Sequence, residues 1–297
     1  MMRYSLLPFA ALLVAATPPG MDPGNANRPS DMMALSDAPV RLGYSDFLFG
    51  KQTDGGSIGI DVGRLPGNPP VVIEIGDWNS LDVSTQWLNS FLHGHGYRVA
   101  HIGDVQAKPD HDGAALAANF ARGIAALLAK AGRYHFDPNR IVLMGTAEGG
   151  DLAALLATDP AYFRQADVPF EAIRGVILID GAGFDFPAYL AMLSHYWRSS
   201  TEDTFGKNPE VQARISAIRF VQPPNAPAFL FAAVKGNAKS EGQAETMAAA
   251  LRKEGTAAQV VPVNRSREND PSTYIGRPTS PANPTLLHFL GTAVGQP

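Results

Sequence analysis

Apolar positions along the chain fall into short continuous runs separated by longer stretches of helical period. Val71–Ile75, after Pro69-Pro70, is apolar except for Glu74. Arg140–Met144 and Val176–Ile179 end in uninterrupted apolar runs, the pattern of strands covered on both faces. Tyr97–Ile102, Phe229–Val234 and Gln259–Val263 read as further strands. Val40–Leu48 and Ser57–Val62 read as edge strands joined by the turn Thr53-Asp54-Gly55-Gly56. Helical patterns lie between them. Ser84–Leu92 is closed by Gly94 and Gly96. Gly113–Ala131 is capped by Asp112 and Gly132. Ala188–His195 is short, Glu241–Glu254 is followed by Gly255, and Pro284–Leu290 closes the chain. Strands alternating with helices predict an α/β protein with a mostly parallel central sheet and helices on both faces. There is no internal repeat and no sign of a second domain.

The N-terminus breaks this pattern. Arg3 precedes the apolar run Leu6–Ala16, which is short of the ~20 residues that span a bilayer. Small residues follow at Ala15, Ala16 and Thr17. Residues 1–20 therefore read as a secretory signal peptide, and the expected location is periplasmic or secreted, with no membrane attachment after cleavage. Residues 21–37, rich in Pro, Gly, Asn and Asp, read as a disordered leader to a domain over residues 38–297. The whole 297-residue chain is 45% hydrophobic and 18% charged, which excludes a disordered protein. A net charge of -4 with no basic face argues against nucleic acid as a partner. The absence of Cys removes disulfides, a thiol nucleophile and thiolate metal sites.

The chemistry should sit in Arg140–Thr158, RIVLMGTAEGGDLAALLAT. A buried strand enters a Gly-rich turn and an Ala/Leu helix leaves it. Gly145, Thr146, Ala147, Glu148 and Gly149 fill the frame Gly-Xaa-Ser-Xaa-Gly, the nucleophile elbow, with alanine at its centre. With FDPNRIVLMG (Phe136–Gly145), LAALLATDPAY (Leu152–Tyr162), RGVILIDGAGFD (Arg174–Asp185) and the tail Gly276–Leu290, the chain resembles the α/β-hydrolase superfamily. More narrowly it resembles the small carboxylesterases of the feruloyl-esterase-like and kynurenine-formamidase-like group. The resemblance covers about Tyr44–Leu290 and implies an α/β-hydrolase fold with a small cap segment. It also implies a Ser-His-Asp triad and an oxyanion hole at a His-Gly-Gly-type motif.

Position by position, the implied machinery is missing. A methyl group at Ala147 cannot attack a carbonyl. Thr146 has a hydroxyl but occupies a place that points away from the apex. Glu148 would repel the negative charge that acyl transfer develops. The oxyanion motif falls on Glu74-Ile75-Gly76, followed by Asp77 and Trp78, so one glycine remains. The acid's loop, Lys235–Ser240, offers only Asn237, and Glu241 belongs to the next helix. The base's segment, Asn264–Asp270, has no His, and Glu268 stands nearest the expected position. His101 and His111 are the only histidines expected near the active edge. His93 and His95 should lie at the other end, and His288 in the closing helix.

Two functional expectations follow. The first is a catalytically inactive protein on this fold, its old cleft silent or open to a small-molecule ligand or a protein partner. The second is a hydrolase of esters or amides that works through carboxylates, if Glu74, Asp77, Glu148 and Glu268 gather at one edge. Clustered carboxylates could also hold a hard cation. No residue spacing supports a zinc site, and neither a cofactor nor a metal is expected. A conventional esterase with a misplaced serine would have to use Ser194-His195 or Ser272. The segment Phe184–Gln222, with Tyr189, Tyr196, Trp197, Phe205 and Phe220, is the expected cap, its aromatics more in keeping with burial than with a pocket lining.

Overall fold

The computed structural model describes residues 47–51, 57–61, 63–77, 86–104, 113–264 and 274–297; for residues 47–51, 57, 77 and 104 it describes the backbone alone. Eight strands form one sheet in the order β1-β2-β4-β3-β5-β6-β7-β8. They are β1 (Phe47–Lys51), β2 (Ser57–Asp61), β3 (Val71–Asp77), β4 (Arg98–Asp104), β5 (Ile141–Thr146), β6 (Ile173–Ile179), β7 (Ala228–Val234) and β8 (Ala257–Val263). β1 and β2 pair antiparallel, as do β2 and β4, and every pairing from β4 to β8 is parallel.

Strand period decides which helix each side chain meets. Ile73, Leu143, Val176, Leu178, Phe229 and Phe231 point to one face. There they pack against α2 (Gly113–Leu128), α4 (Glu148–Thr158) and α9 (Ser240–Lys253). Val72, Val142, Met144, Ile177, Ile179 and Leu230 point to the other, against α1 (Gln86–Gly94) and α10 (Asn283–Val294). Because both faces are covered, the central strands are apolar at successive positions rather than alternate ones. β8, at the edge, alternates exposed and half-buried residues, and it carries Pro262, which has no N–H to offer a ladder.

The sequence expectations differ from the structure at four places. The first strand lies at Phe47–Lys51 because its antiparallel register, Phe47 opposite Asp61 and Lys51 opposite Ser57, sets it there; residues 40–46 fall outside the described residues. The long helix stops at Leu128, and Gly132 lies inside the short α3 (Ala131–Tyr134). The left-handed cap falls instead on His135 (φ 53°), where the chain turns to bury Phe136. The expected helix Ala188–His195 is two helices, α6 (Phe186–Ala191) and α7 (His195–Phe205). α6 begins early because the Asp185 side chain caps it, accepting from the Ala188 N–H at 3.3 Å. The cap aromatics divide: Phe205 is buried, while Tyr196 and Trp197 are exposed and meet edge to face.

α4 is the helix that the sheet is built around. Gly149, in its first turn, lies against the carbonyl oxygen of Ile75 in β3, and Gly145 lies against the backbone of Gly149. A side chain at either position would collide with backbone. Gly149→Ala is therefore expected to cost about 2–3 kcal/mol or prevent folding, since backbone cannot yield as a side-chain tip can. Chemical denaturation of that variant beside Gly242→Ala, whose added methyl meets open space, checks this.

Candidate functional site

The strand–turn–helix at the C-terminal end of β5 has the geometry of a nucleophile elbow. β5 ends at Thr146, and α4 begins at Glu148. Ala147 joins them at φ 49° and ψ -122°, a backbone region that costs a non-glycine residue on the order of 1–3 kcal/mol. Its N–H donates to the Ile179 carbonyl at 2.8 Å, and its own carbonyl accepts from Gly150 and Asp151. The turn is thus held from both flanking elements. The apex presents a half-buried methyl group, with the exposed side chain of Glu148 next to it. Thr146, the last residue of β5, has its hydroxyl oxygen buried away from solvent.

Of the four carboxylates that the sequence could have placed together, the structure describes the side chains of two, Glu74 and Glu148, and places one inside the fold and the other on its surface. Glu74 is buried in β3, directly opposite His101 in β4, with Oε2 3.6 Å from His101 Nδ1. Both side chains belong to the interior of the sheet. His101 is therefore not open to the cleft, although it lies toward the C-terminal end of its strand. Glu148 is exposed on the elbow. Asp77 ends β3, and its side chain is outside what is described; Trp78, His111, Glu268 and Ser272 also lie outside the described residues. Gly76 follows Ile75 in β3, beside Gly149. Asn237 turns its oxygen inward to accept from Lys239 N–H at 3.2 Å, and Glu241 folds back to accept from Gly236 N–H at 2.8 Å. Ser194 and His195 are exposed at the start of α7, and His288 is exposed on α10. His93 sits at the opposite edge, paired with Asp61 at 3.0 Å.

A second group of acids does converge. Asp151, one turn into α4, is buried, and its Oδ1 accepts from the N–H groups of Ala182 (3.0 Å) and Gly183 (2.8 Å) in the loop after β6. Asp180 opens that loop at φ 53°. Burial pushes the Asp151 carboxyl up to about 8, and the charges of Glu148 and Asp180 push the same way against the two amides. Burial also raises Tyr189 in α6 to about 12, with Asp151, Glu148 and Asp180 adding to it. Sequence reading missed this group. Its signal was there: an Asp two residues past Gly149, and the Gly-rich loop Asp180–Gly183. Gly183 leaves no room for a side chain because the Asp151 carboxyl occupies the space, and at Gly181 the Phe184 ring and the same carboxyl do.

An eight-stranded sheet in this order, with a strained elbow at the end of a central strand, defines an α/β-hydrolase-fold protein. The BD-FAE family model matches residues 67–251, more than half of the chain, and the chain belongs to that family. No curated protein matches the sequence. The fold is similar to esterase B from Lactobacillus Rhamnosis (TM-score 0.66, 14% identity, 86% of this chain and 89% of that one). It is also similar to an acetyl ester-xyloside bifunctional hydrolase from Caldicellulosiruptor lactoaceticus (0.62, 17%, 82% and 90%). A thermophilic esterase from Thermogutta terrifontis is a further likeness (0.61, 15%, 84% and 94%). At these identities the likeness is one of fold.

Two outcomes follow. Ala147→Gly removes the left-handed strain and adds unfolded-state entropy, so stability should change by less than about 1 kcal/mol or rise. Ala154→Gly inside α4 should instead cost about 1 kcal/mol or more. Thermal unfolding of both variants measures the contrast. For Asp151 the folded state raises the carboxyl above its unfolded value of 3.8. The folded state therefore holds the proton more tightly, and this contribution is full below about pH 4 and is lost as pH rises toward 8. Asp151→Asn keeps the acceptor and removes the charge. It should match the parent at pH 4.5 and exceed it by about 1–3 kcal/mol at pH 8.5, measured by denaturant titration at both values.

Proposed function

We propose that this chain is a noncatalytic member of a carboxylesterase-like family, and that its former active-site cleft holds a small-molecule ligand or a protein partner. The observation that carries the reading is Ala147: the strained elbow is kept, and what it presents is a methyl group. Three further points support it. The sequence has no histidine between His195 and His288, and so none in the segment where the base belongs. Asn237 spends its oxygen on its own loop. The Glu148 carboxylate stands beside the first amides of α4, where an oxyanion would have to bind. Export is part of this reading and rests on Arg3 and the apolar run Leu6–Ala16.

One observation favours a second reading, a hydrolase that works through carboxylates. Asp151 is held protonated near neutrality while Glu148, one turn away, is exposed to solvent, and carboxyls in such different environments can divide acid and base roles. Against it, the Asp151 Oδ1 is already occupied by two backbone amides.

Hydrolysis of short acyl esters and aryl formamides by the full chain, beside Ala147→Ser, separates the readings. The noncatalytic reading expects no turnover by either protein, because one hydroxyl does not rebuild a triad that lacks its base. Turnover by the unaltered chain overturns it. If Glu148→Gln then abolishes that turnover, the chemistry belongs to the carboxylates.

A further inference from the structure

β8 closes the sheet at one end. It pairs with β7 alone, and among the described residues no strand lies on its outer side. From Ala257 to Pro262 its residues are exposed or half-buried. Its sequence, AAQVVPV, is uncharged and holds two adjacent β-branched residues, Val260 and Val261. An unpaired, uncharged edge of this kind is a template on which a strand of another chain can form.

Register decides which backbone groups of β8 face outward. The Lys235 N–H donates to the Val263 carbonyl at 2.9 Å. Residue 263 thus turns its polar groups to β7, and the two-residue period gives the same direction to residues 261, 259 and 257. Ala258, Val260 and Pro262 turn theirs outward. Arg252 agrees with this assignment: from the last turn of α9 its Nη1 reaches round the edge and donates to the Ala258 carbonyl at 3.3 Å. Glu245 on the same helix lies 3.7 Å from its Nη2. Pro262 has no N–H to offer. The outer edge therefore has a covered acceptor at Ala258 and a missing donor at Pro262, and only Val260 between them is unguarded.

We propose that Arg252 and Pro262 together close the β8 edge to strand addition, and that the chain without them pairs β8 with β8 of a second copy. In a two-fold antiparallel pairing Val260 faces Val260 of the second copy, and Ala258 faces Pro262. Residues that face each other in a hydrogen-bonded pair exchange two N–H···O bonds. Between Ala258 and Pro262 that exchange fails twice over: the proline ring stands where a donor should be, and the acceptor it would meet is already held by Arg252. Symmetry repeats the failure at the other end of the pairing. With both guards removed, every outward group of β8 finds a partner in the same register, and the two Val260 side chains meet as a β-branched pair. Proline and long charged side chains are the residues that blunt sheet edges, and here the two fall on one pair of one register.

Sedimentation of the full chain over a wide concentration range, beside the double variant Arg252→Ala/Pro262→Val, tests this. The double variant is expected to gain a concentration-dependent association step that the parent lacks. Pro262→Thr in place of Pro262→Val should act alike, since the restored N–H and not an apolar side chain is what matters. Amide hydrogen exchange locates the contact. The N–H groups of Ala258 and Val260 should exchange freely in the parent and become protected in the associated variant, while those of Val261 and Val263, which face β7, stay protected in both. A double variant that circular dichroism shows to be folded and that gains no association step overturns the proposal. Protection of the Val260 amide in the parent overturns it too, as does an associated variant in which that amide still exchanges freely.

Discussion

The contact between the first turn of α4 and the end of β3 constrains the rest of the structure. Gly149 rests on the Ile75 carbonyl, and Gly145 rests on Gly149. That approach is possible only if the chain reverses within one residue between β5 and α4, and the reversal requires a positive φ at Ala147. With the helix so close, Leu152, Leu155 and Leu156 reach the layer of Leu143 and Leu178 and are buried. The strain at one residue is offset by the burial of a whole helix face, at about 1.5–3 kcal/mol for each leucine-sized side chain.

Buried ionisable groups fasten the parts that burial alone would leave loose. Asp151 ties the loop after β6 to α4 through two amides. The carboxyl fills the space at Gly183 and, with the Phe184 ring, that at Gly181. At the other edge Asp61 holds Arg98, His93 and the amide of Val99, and so fixes the end of β2 against the start of β4. Glu74 and His101 face each other inside the sheet. Removing Asp61 would leave the buried Arg98 guanidinium without its acid, which costs several kcal/mol.

Strand and helix order was legible in the sequence because both faces of the sheet are covered: Ile141–Met144 and Val176–Ile179 read as buried runs for that reason. Boundaries were legible where local chemistry sets them, as at Gly255 after α9, and not where pairing or packing does. The start of β1 depends on its register with β2, and the left-handed cap after α3 goes with the burial of Phe136. The elbow could be read in full, since five consecutive residues define it. The grouping of Asp151 with Asp180 and Tyr189 could not, because the last two lie 29 and 38 residues further along the chain and meet it only once β5 and β6 lie side by side. Glu74 misled in the opposite sense: its position in the motif put it at the cleft, while the two-residue period of β3 turns it, with Val72, to a covered face of the sheet.

The backbone of the elbow does not depend on the side chain at its apex. A serine hydroxyl at position 147 would add nothing to the contacts that hold the turn, which are the Ile179 carbonyl, the helix amides and the glycines. Nothing in the packing therefore depends on the nucleophile. A chain with alanine there keeps the same helix, the same close approach to β3 and the same strain, so likeness of fold to esterases follows from the backbone and not from a reaction. The strain has a use of its own: it places the first turn of α4 against β3, where no straighter connection could. What the site does must then be argued from its side chains, the half-buried Ala147 methyl and the exposed Glu148 carboxylate beside the buried Asp151, and those make it acidic.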